Sequence, residues 1–374
     1  MQATPAVLRN FFTGAACSPG ALPASSAIPS GGFVLVRRGL FLIAQLALLF
    51  ALSHPARAEN PYGVMMWPVA GFQDFSVALA RSAGLGVAWF RPTNVYIDRL
   101  PKSGACSECT ALLRSPLRLA LTVRNAPGAG RPSTPPSDME DYKRRLGTIL
   151  DLWKPQLLVV EQEEDLPATY SALDVSKAYA QQLEAACQVA HARSILCTNG
   201  GLSYEATSVL IWLAFADRGK MEQACAYARG TLYQKGRPDA GAILCPKGGQ
   251  ILIDSKARSD QLALARKLLD VYKKSPIDAV NFHWYGHDAG TLSETVDMLK
   301  RLTSKPVLSN EMGQRPWDAE PGRVRALLRA AFASQMVTAI WLSMDTQNTV
   351  SLFDEDGSLR PAGKEFAHQM SGRK

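Results

Sequence analysis

Eight short apolar runs, each followed by helical or loop sequence, constrain the fold of this 374-residue chain more than any other feature. Each run has the length of a buried strand. Regular alternation of strands and helices indicates parallel strands that are joined by crossover helices. The predicted strands are 63–67, 87–91, 118–123, 157–160, 194–198, 280–284, 306–309 and 339–342. We therefore predict an α/β fold that consists of a single (β/α)₈ barrel, the TIM-barrel architecture.

One segment breaks this rhythm. Residues 200–253, after the fifth predicted strand, are too numerous for a single crossover and include an extra helix, predicted over 209–229. We expect this inserted excursion to pass over the C-terminal face of the barrel, where (β/α)₈ barrels keep their chemistry. The sequence shows no internal repeat and no second domain.

The first 58 residues have the layout of a signal peptide. Paired arginines at 37–38 precede the uncharged apolar stretch 40–52, and an Ala-x-Ala cleavage pattern ends at Ala58. The apolar stretch is shorter than the roughly 20 residues of a membrane-spanning helix. An uncleaved N-terminal anchor is the alternative. Cleavage would leave one domain, residues 59–374, which we expect to be periplasmic or extracellular and without stable membrane anchoring.

The charge of the chain gives little indication of a nucleic-acid partner. The leader carries four arginines and no acidic residue, so its removal lowers the formal net charge from +8 to +4 (8 − 4). No block rich in Lys or Arg appears in the remainder, and we predict no nucleic-acid binding. Gly-rich phosphate loops and nucleotide fingerprints are also missing from the sequence, so no cofactor is predicted.

Six cysteines follow the leader, and an even number in an exported chain predicts disulfides. The connectivity cannot be read from sequence alone. The simplest set joins neighbours: Cys106 with Cys109, Cys187 with Cys197, and Cys225 with Cys245. The third pair is the most strongly expected, because both of its cysteines lie in the excursion. A zinc half-site or a redox pair is the alternative for the Cys-x-x-Cys at 106–109.

Carboxylates follow two of the predicted strands. The acidic cluster 161–165 comes directly after the fourth strand, and Glu311 comes shortly after the seventh. Because the C-terminal ends of barrel strands meet at one mouth, we expect these carboxylates to lie near one another. Two carboxylates on two strand ends are the minimum equipment for glycoside hydrolysis.

The order of these motifs resembles that of the clan A glycoside hydrolases. These are retaining enzymes on a (β/α)₈ barrel, with the acid/base after strand four and the nucleophile after strand seven. The resemblance covers most of the domain and is closest to poorly characterised exported bacterial members. The stretch from Pro306 to Gly313 matches the family pattern Pro-x-x-x-x-Glu-x-Gly. The resemblance therefore implies that Glu311 is the nucleophile.

The same resemblance implies that Glu163 is the acid/base. The family usually has Asn-Glu at this point, and the amide of that Asn binds the sugar 2-hydroxyl. This chain has Gln162 before Glu163, so the amide is one methylene longer. Glu164 is an alternative acid/base, and a non-catalytic acidic loop is a further one.

Four more substrate-site residues are implied by the resemblance. His283 and Tyr285 alternate on the sixth predicted strand, so both point to one face. The Tyr hydroxyl is implied to bond to the nucleophile, and Arg91 to steady the nucleophile electrostatically. Trp341, on strand eight, is implied to form a platform beneath the reacting sugar. Core packing is the alternative for His283, Tyr285 and Trp341, and a surface ion pair is the alternative for Arg91.

These observations predict a secreted retaining glycoside hydrolase that acts on a poly- or oligosaccharide by double displacement, without a metal. Two alternatives stay open. The first is a carbohydrate-binding barrel that has lost catalysis, which the Gln at position 162 suggests. The second is a different barrel enzyme in which the acidic cluster binds a metal ion.

Overall fold

The computed structural model describes residues 60–66, 74–99, 106–231, 256–313, 320–343 and 351–371. The predicted leader lies outside this part of the chain. Among the helices described, none is both long and apolar enough to cross a membrane.

Eight parallel strands form a nearly closed barrel. They are β1 (Tyr62–Met65), β2 (Trp89–Arg91), β3 (Arg118–Arg124), β4 (Leu157–Val160), β5 (Leu196–Asn199), β6 (Val280–Trp284), β7 (Val307–Met312) and β8 (Ala339–Leu342). Their order in the sheet is β5-β4-β3-β2-β1-β8-β7-β6. Isolated parallel bridges, Thr198 to Ala279 and Leu202 to Phe282, connect β5 to the β6 side. The predicted (β/α)₈ barrel is confirmed. A two-residue strand, Val95–Tyr96, additionally pairs with β3.

At least one helix follows every strand in the described residues. The helices are α1 (Phe75–Gly84), α2 (Ser107–Leu113), α3 (Met139–Trp153), α4 (Val175–His191), α5 (Tyr204–Ala216), α6 (Met221–Thr231), α7 (Lys256–Lys274), α8 (Ala289–Thr303), α9 (Pro321–Ala333) and α10 (Pro361–Ser371). Three of them, α5 to α7, lie between β5 and β6, so the predicted excursion after strand five is present.

The two extra helices of the excursion lie in the outer helical layer. Helix α5 packs against β6, α7 and α8, and α6 packs against α5 and α8. Most residues of α5 are buried, as expected for a helix that is apolar all round. The expectation that this segment passes over the C-terminal face is therefore wrong for α5 and α6. Residues 232–255 lie outside the described part of the chain.

Strand alternation divides the core into two layers. One apolar cluster fills the barrel interior. All of its residues come from the strands or the ends of strands, and none comes from a helix: Met65, Trp89, Ala120, Leu157, Val159, Ala279, Leu308 and Ile340. The larger cluster packs the outer faces of the strands against the helices. Towards the C-terminal strand ends the buried side chains become polar, and they include Thr122, Asn199, Asn281 and Asn310. The interior thus changes from apolar to polar where a (β/α)₈ barrel holds its site.

Two of the predicted disulfides are confirmed. Cys106 is bonded to Cys109, and Cys187 is bonded to Cys197, which ties α4 to β5. Cys225 is also disulfide-bonded. Its predicted partner, residue 245, lies outside the described residues.

Candidate active site

A β-bulge in β7 turns Glu311 into the barrel mouth. Leu308 and Glu311 are three residues apart on β7, but their partners on β6 are only two residues apart. Plain alternation from the inward-facing Leu308 would point Glu311 towards the helices. The extra residue of the bulge reverses this direction and re-aims the carboxylate.

Arg91 and Tyr285 hold the Glu311 carboxylate. The buried Arg91 donates from Nη1 to Glu311 Oε2 at 2.8 Å and to the carbonyl of the bulge residue Asn310 at 2.9 Å. The Tyr285 hydroxyl donates to Oε1. Burial raises the pKa of Glu311, but His283, Arg91 and the Tyr285 bond outweigh this effect and lower the pKa to about 2. Glu311 is therefore ionised at neutral pH.

His283 connects the second carboxylate to the first. Its Nδ1 is 2.9 Å from Glu163 Oε1, and its position on β6 pairs with that of Glu311. Burial opposes the charged ring, but the charges of Glu311 and Glu163 together raise the pKa of His283. Gly201, with φ +98, passes so close that a Cβ there would lie 2.6 Å from the imidazole. The buried ring thus bonds to Glu163 and lies beside Glu311.

The loop that carries Glu163 is strained and anchored. Glu161 and Glu163 have left-handed backbone angles, φ 69 and φ 44, which cost roughly 1–2 kcal/mol each for residues other than glycine. Glu161 accepts a backbone N–H at 2.8 Å and the Gln182 amide at 2.6 Å. Asp165 accepts the backbone N–H and the hydroxyl of Ser203 at 2.9 and 2.5 Å. These buried bonds stabilise the conformation that presents Glu163.

Glu164, the alternative acid/base, faces away from the mouth. It is fully buried, and its Oε1 accepts from Tyr272 and, at 3.1 Å, from Asn199. Within the described residues its Oε2 has no hydrogen-bond partner. Burial raises the pKa of Glu164 to about 7, although the Tyr272 bond opposes the shift. The Glu163 side chain, by contrast, is 19% exposed, so it alone among the acidic residues of the loop reaches solvent to this extent.

Three asparagines link β5, β6 and β7 below these carboxylates. Asn199 Oδ1 accepts the Asn281 N–H at 2.7 Å, and Asn281 Oδ1 accepts the Asn310 N–H at 3.0 Å. Because a backbone N–H only donates, Asn281 must donate from Nδ2 to Asn310 Oδ1, which lies at 2.8 Å. Asn310 Oδ1 is then an acceptor for His283 Nε2 at 3.1 Å. The ladder therefore fixes a hydrogen on Nε2 and leaves Nδ1 to face Glu163.

Sequence reasoning gave no role to the asparagine ladder. The available signal was a polar residue within each of three apolar strands, close to the mouth. A further residue, Asn94 in the loop after β2, also reaches the site. It bonds to Gln162 and to Arg91, and nothing in the sequence singled it out.

Trp341 does not line the mouth. Its neighbour Ile340 belongs to the interior cluster, so alternation directs Trp341 to the helical layer. It is fully buried there and packs edge-on against Phe366 of α10, with ring centroids 6.1 Å apart. The predicted platform role of Trp341 is therefore wrong.

The remaining predicted site residues come together around the two carboxylates. They are Arg91, Gln162, Glu163, His283, Tyr285 and Glu311. Among the residues that the structure describes, no group of three or more His, Cys, Asp and Glu side chains is arranged to hold a metal ion.

No protein-family model and no curated protein matches this chain. Among solved structures, a GH5-4 broad specificity endoglucanase from Clostridium longisporum is 8% identical, with a TM-score of 0.51 over 85% of this chain and 97% of that chain. The virulence factor SghA from Agrobacterium tumefaciens is 11% identical, with a TM-score of 0.50 over 87% and 100%. A GH128 (subgroup VII) oligosaccharide-binding protein from Cryptococcus neoformans is 12% identical, with a TM-score of 0.44 over 86% and 98%. At identities this low, the first two similarities establish a shared barrel fold for this chain and nothing further.

Proposed function

We propose that this protein is a retaining glycoside hydrolase, with Glu311 as the nucleophile and Glu163 as the acid/base. The observation that carries the proposal is the contrast between two carboxylates at one mouth. Glu311 is buried and kept ionised by Arg91 and Tyr285. Glu163 is partly exposed and bonded to His283 through one oxygen. Unequal environments of this kind are what a nucleophile and a proton donor require.

In the first step, Glu311 attacks the anomeric carbon and the bond to the leaving group breaks. Glu163 gives its proton to the departing glycosidic oxygen. Its Oε1 faces His283, and Oε2 has no protein partner within the described residues, so Oε2 is the oxygen available to the substrate. The product of this step is a glycosyl ester on Glu311.

In the second step, the Glu163 carboxylate takes a proton from water. The oxygen of the deprotonated water attacks the same anomeric carbon, and the ester bond to Glu311 breaks. Two inversions give net retention. Arg91 and Tyr285 stabilise Glu311 again as its charge returns, because both bonds are to the carboxylate oxygens.

The proposed substrate class is a poly- or oligosaccharide, and the proposed location is outside the cytoplasm. Two disulfides in the described residues support the location, since such bonds persist in oxidising compartments. A carbohydrate-binding barrel without turnover is the second candidate. It is favoured by the longer amide of Gln162, which replaces the Asn that the resemblance leads one to expect.

The test is hydrolysis of a panel of glycans and dinitrophenyl glycosides, with the first product followed by proton NMR. The proposal expects the product to keep the anomeric configuration of the substrate. Glu311→Gln should lose turnover, whereas Glu163→Gln should retain the first step on dinitrophenyl substrates, which need little protonation. Glu184→Gln, an exposed change on α4, is the matched control. Inverted product, or full activity in Glu311→Gln, contradicts the proposal, and binding of glycans without turnover favours the second candidate.

A further inference from the structure

The Asn310 side chain offers one oxygen to two donors. Its Oδ1 accepts from Asn281 Nδ2 at 2.8 Å and lies 3.1 Å from His283 Nε2. If the Asn310 amide were flipped, its NH₂ would face the NH₂ of Asn281, so the oxygen is the atom that meets the ring. His283 Nε2 therefore carries a hydrogen in both protonation states of the ring, and only Nδ1 can gain or lose one.

The chemistry of Glu163 decides the state of Nδ1. A protonated carboxyl group has one O–H. If that hydrogen were on Oε1, it would be bonded to His283 Nδ1, which is 2.9 Å away, and it could not reach a leaving group at Oε2. Donation from Oε2 leaves Oε1 as an acceptor, so Nδ1 must donate to it. Both ring nitrogens then carry hydrogen, and the working form of His283 is an imidazolium.

The charges around the ring favour this form. The acidic groups that face it are Glu163, from the loop after β4, and Glu311, on β7, and the basic one is Arg91, on β2. Burial and Arg91 oppose the charged ring, but the two carboxylates outweigh them and raise the pKa of His283. Burial holds the pKa of Tyr285 well above its usual value, so this neighbour stays neutral. The asparagines below the ring carry no charge.

We infer that Asn310 is a positioning residue that enables His283 to serve as an imidazolium, with Nε2 donating to Asn310 and Nδ1 donating to Glu163. This inference rests on the proposed function. The proton of Glu163 is then confined to Oε2. It passes to the departing glycosidic oxygen in the first step, and a proton from water replaces it on Oε2 in the second. His283 keeps both of its hydrogens throughout.

Asn281 supports this arrangement from the next level of the ladder. Its Oδ1 accepts the backbone N–H of Asn310 at 3.0 Å, and its Nδ2 therefore faces the Asn310 side chain. The orientation of the Asn310 amide is thus set by a backbone bond, which does not change when the ring gains or loses a proton. Both lone pairs of Asn310 Oδ1 are used, one for Asn281 and one for the ring.

Nitrogen NMR of the protein, isotopically labelled at its histidines, tests the charge of the ring without any substrate. The His283 signals are identified by their absence in His283→Gln. We expect both ring nitrogens to be protonated in most molecules at about pH 6.5, the ordinary pKa of a histidine. In Asn310→Leu the midpoint of the titration should fall by about 1–2 pH units, because a bond from a charged donor is lost.

Two further variants separate the oxygen of Asn310 from its size. Asn310→Asp keeps an acceptor for Nε2, and the titration midpoint of the ring should be at or above that of the wild type. Thr122→Val is the matched control, because it removes the 3.4 Å contact with Asn310 Nδ2 and leaves Oδ1 untouched. Its midpoint should equal that of the wild type.

Steady-state kinetics show whether the ring serves proton transfer. Asn310→Leu should lower kcat/KM by about tenfold for alkyl glycosides, whose leaving groups need a proton. It should leave dinitrophenyl glycosides within about twofold of wild type. Asn310→Asp should recover most of the loss.

The possible failures are distinguishable. A wild-type ring without hydrogen on Nδ1 at about pH 6.5 overturns the imidazolium role and leaves the proposed function standing, and this result does not depend on whether Asn310→Leu folds. An unchanged midpoint in folded Asn310→Leu, or an equal loss of activity on both classes of glycoside, overturns the role of Asn310. A folded wild type that hydrolyses no compound of the panel overturns the proposed function, and the inference with it.

Discussion

Replacing Glu164 by Gln should change how the stability of the protein depends on pH. Gln keeps an oxygen for the bonds from Tyr272 and Asn199. Its NH₂ takes the place of Oε2, which has no partner among the described residues. A buried donor without a partner costs about 1–3 kcal/mol at every pH. The carboxyl group that is lost, by contrast, contributes a term that varies with pH.

The sign and size of that term follow from the pKa. Burial raises the pKa of Glu164 from 4.5 to about 7 in the folded protein. A raised carboxyl pKa stabilises the fold below the unfolded pKa, and this contribution is lost as the pH rises through the folded pKa. A difference of about 2.5 pKa units corresponds to about 3 kcal/mol. The wild type should lose this amount between roughly pH 4.5 and pH 7 relative to Glu164→Gln.

Urea denaturation of both proteins at about pH 5 and pH 8 measures this difference. The free energy of unfolding of Glu164→Gln, relative to wild type, should rise by about 2–3 kcal/mol from the lower pH to the higher one, because part of the term is already lost at pH 5. Other carboxylates titrate alike in both proteins, so their contributions cancel. Glu184→Gln removes an exposed carboxylate and serves as the control. A relative stability that is the same at both pH values would refute the reasoning.

Three more predictions follow from the bonds of the site and the disulfides. Arg91→Met should raise the pKa of Glu311 from its value of about 2, because a positive charge is removed. The acidic limb of the pH–rate profile should therefore move to higher pH. An unchanged limb would contradict the contact between Arg91 and Glu311. Tyr285→Phe removes one bond to Glu311 and should lower kcat/KM by about tenfold to hundredfold in steady-state assays; a loss below twofold would show that the bond does not matter for the reaction. Replacing Cys187 and Cys197 by Ser should lower the free energy of unfolding by about 2–3 kcal/mol in urea titrations, and equal stability would contradict a stabilising role for the disulfide that ties α4 to β5.

The barrel could be predicted from sequence because its signal is repeated. Eight apolar runs alternate with helical sequence, and this regular alternation supports the assignment of each run as a strand. The strands at 157–160, 280–284 and 339–342 were predicted with the bounds that the structure has. The excursion was harder to predict. Its apolar helix α5 is buried in the helical layer by contacts with α7 and α8, and such contacts are non-local.

The site could be predicted only in part, for two physical reasons. Motif order identified Glu311, but alternation alone would have pointed it outward; the bulge that re-aims it depends on pairing with β6. In the acidic cluster, the resemblance implied Glu163 as the acid/base, but the sequence left Glu164 open as an alternative. The burial of Glu164 against Tyr272 is a contact between residues 108 positions apart. Trp341 shows the same limitation, since one step of register decides whether a strand residue faces the interior or the helices.

Covalent trapping tests the central claim most directly. A dinitrophenyl 2-deoxy-2-fluoro-glycoside of a sugar that the wild type hydrolyses should form a stable glycosyl-enzyme, and mass spectrometry of the digested protein should find the adduct on Glu311. Glu163→Gln should still form the adduct, because the dinitrophenyl group leaves with little protonation, and Glu311→Gln should not. An adduct on Glu163 or Glu164, or no adduct in a wild type that turns over the parent glycoside, would contradict the proposed roles.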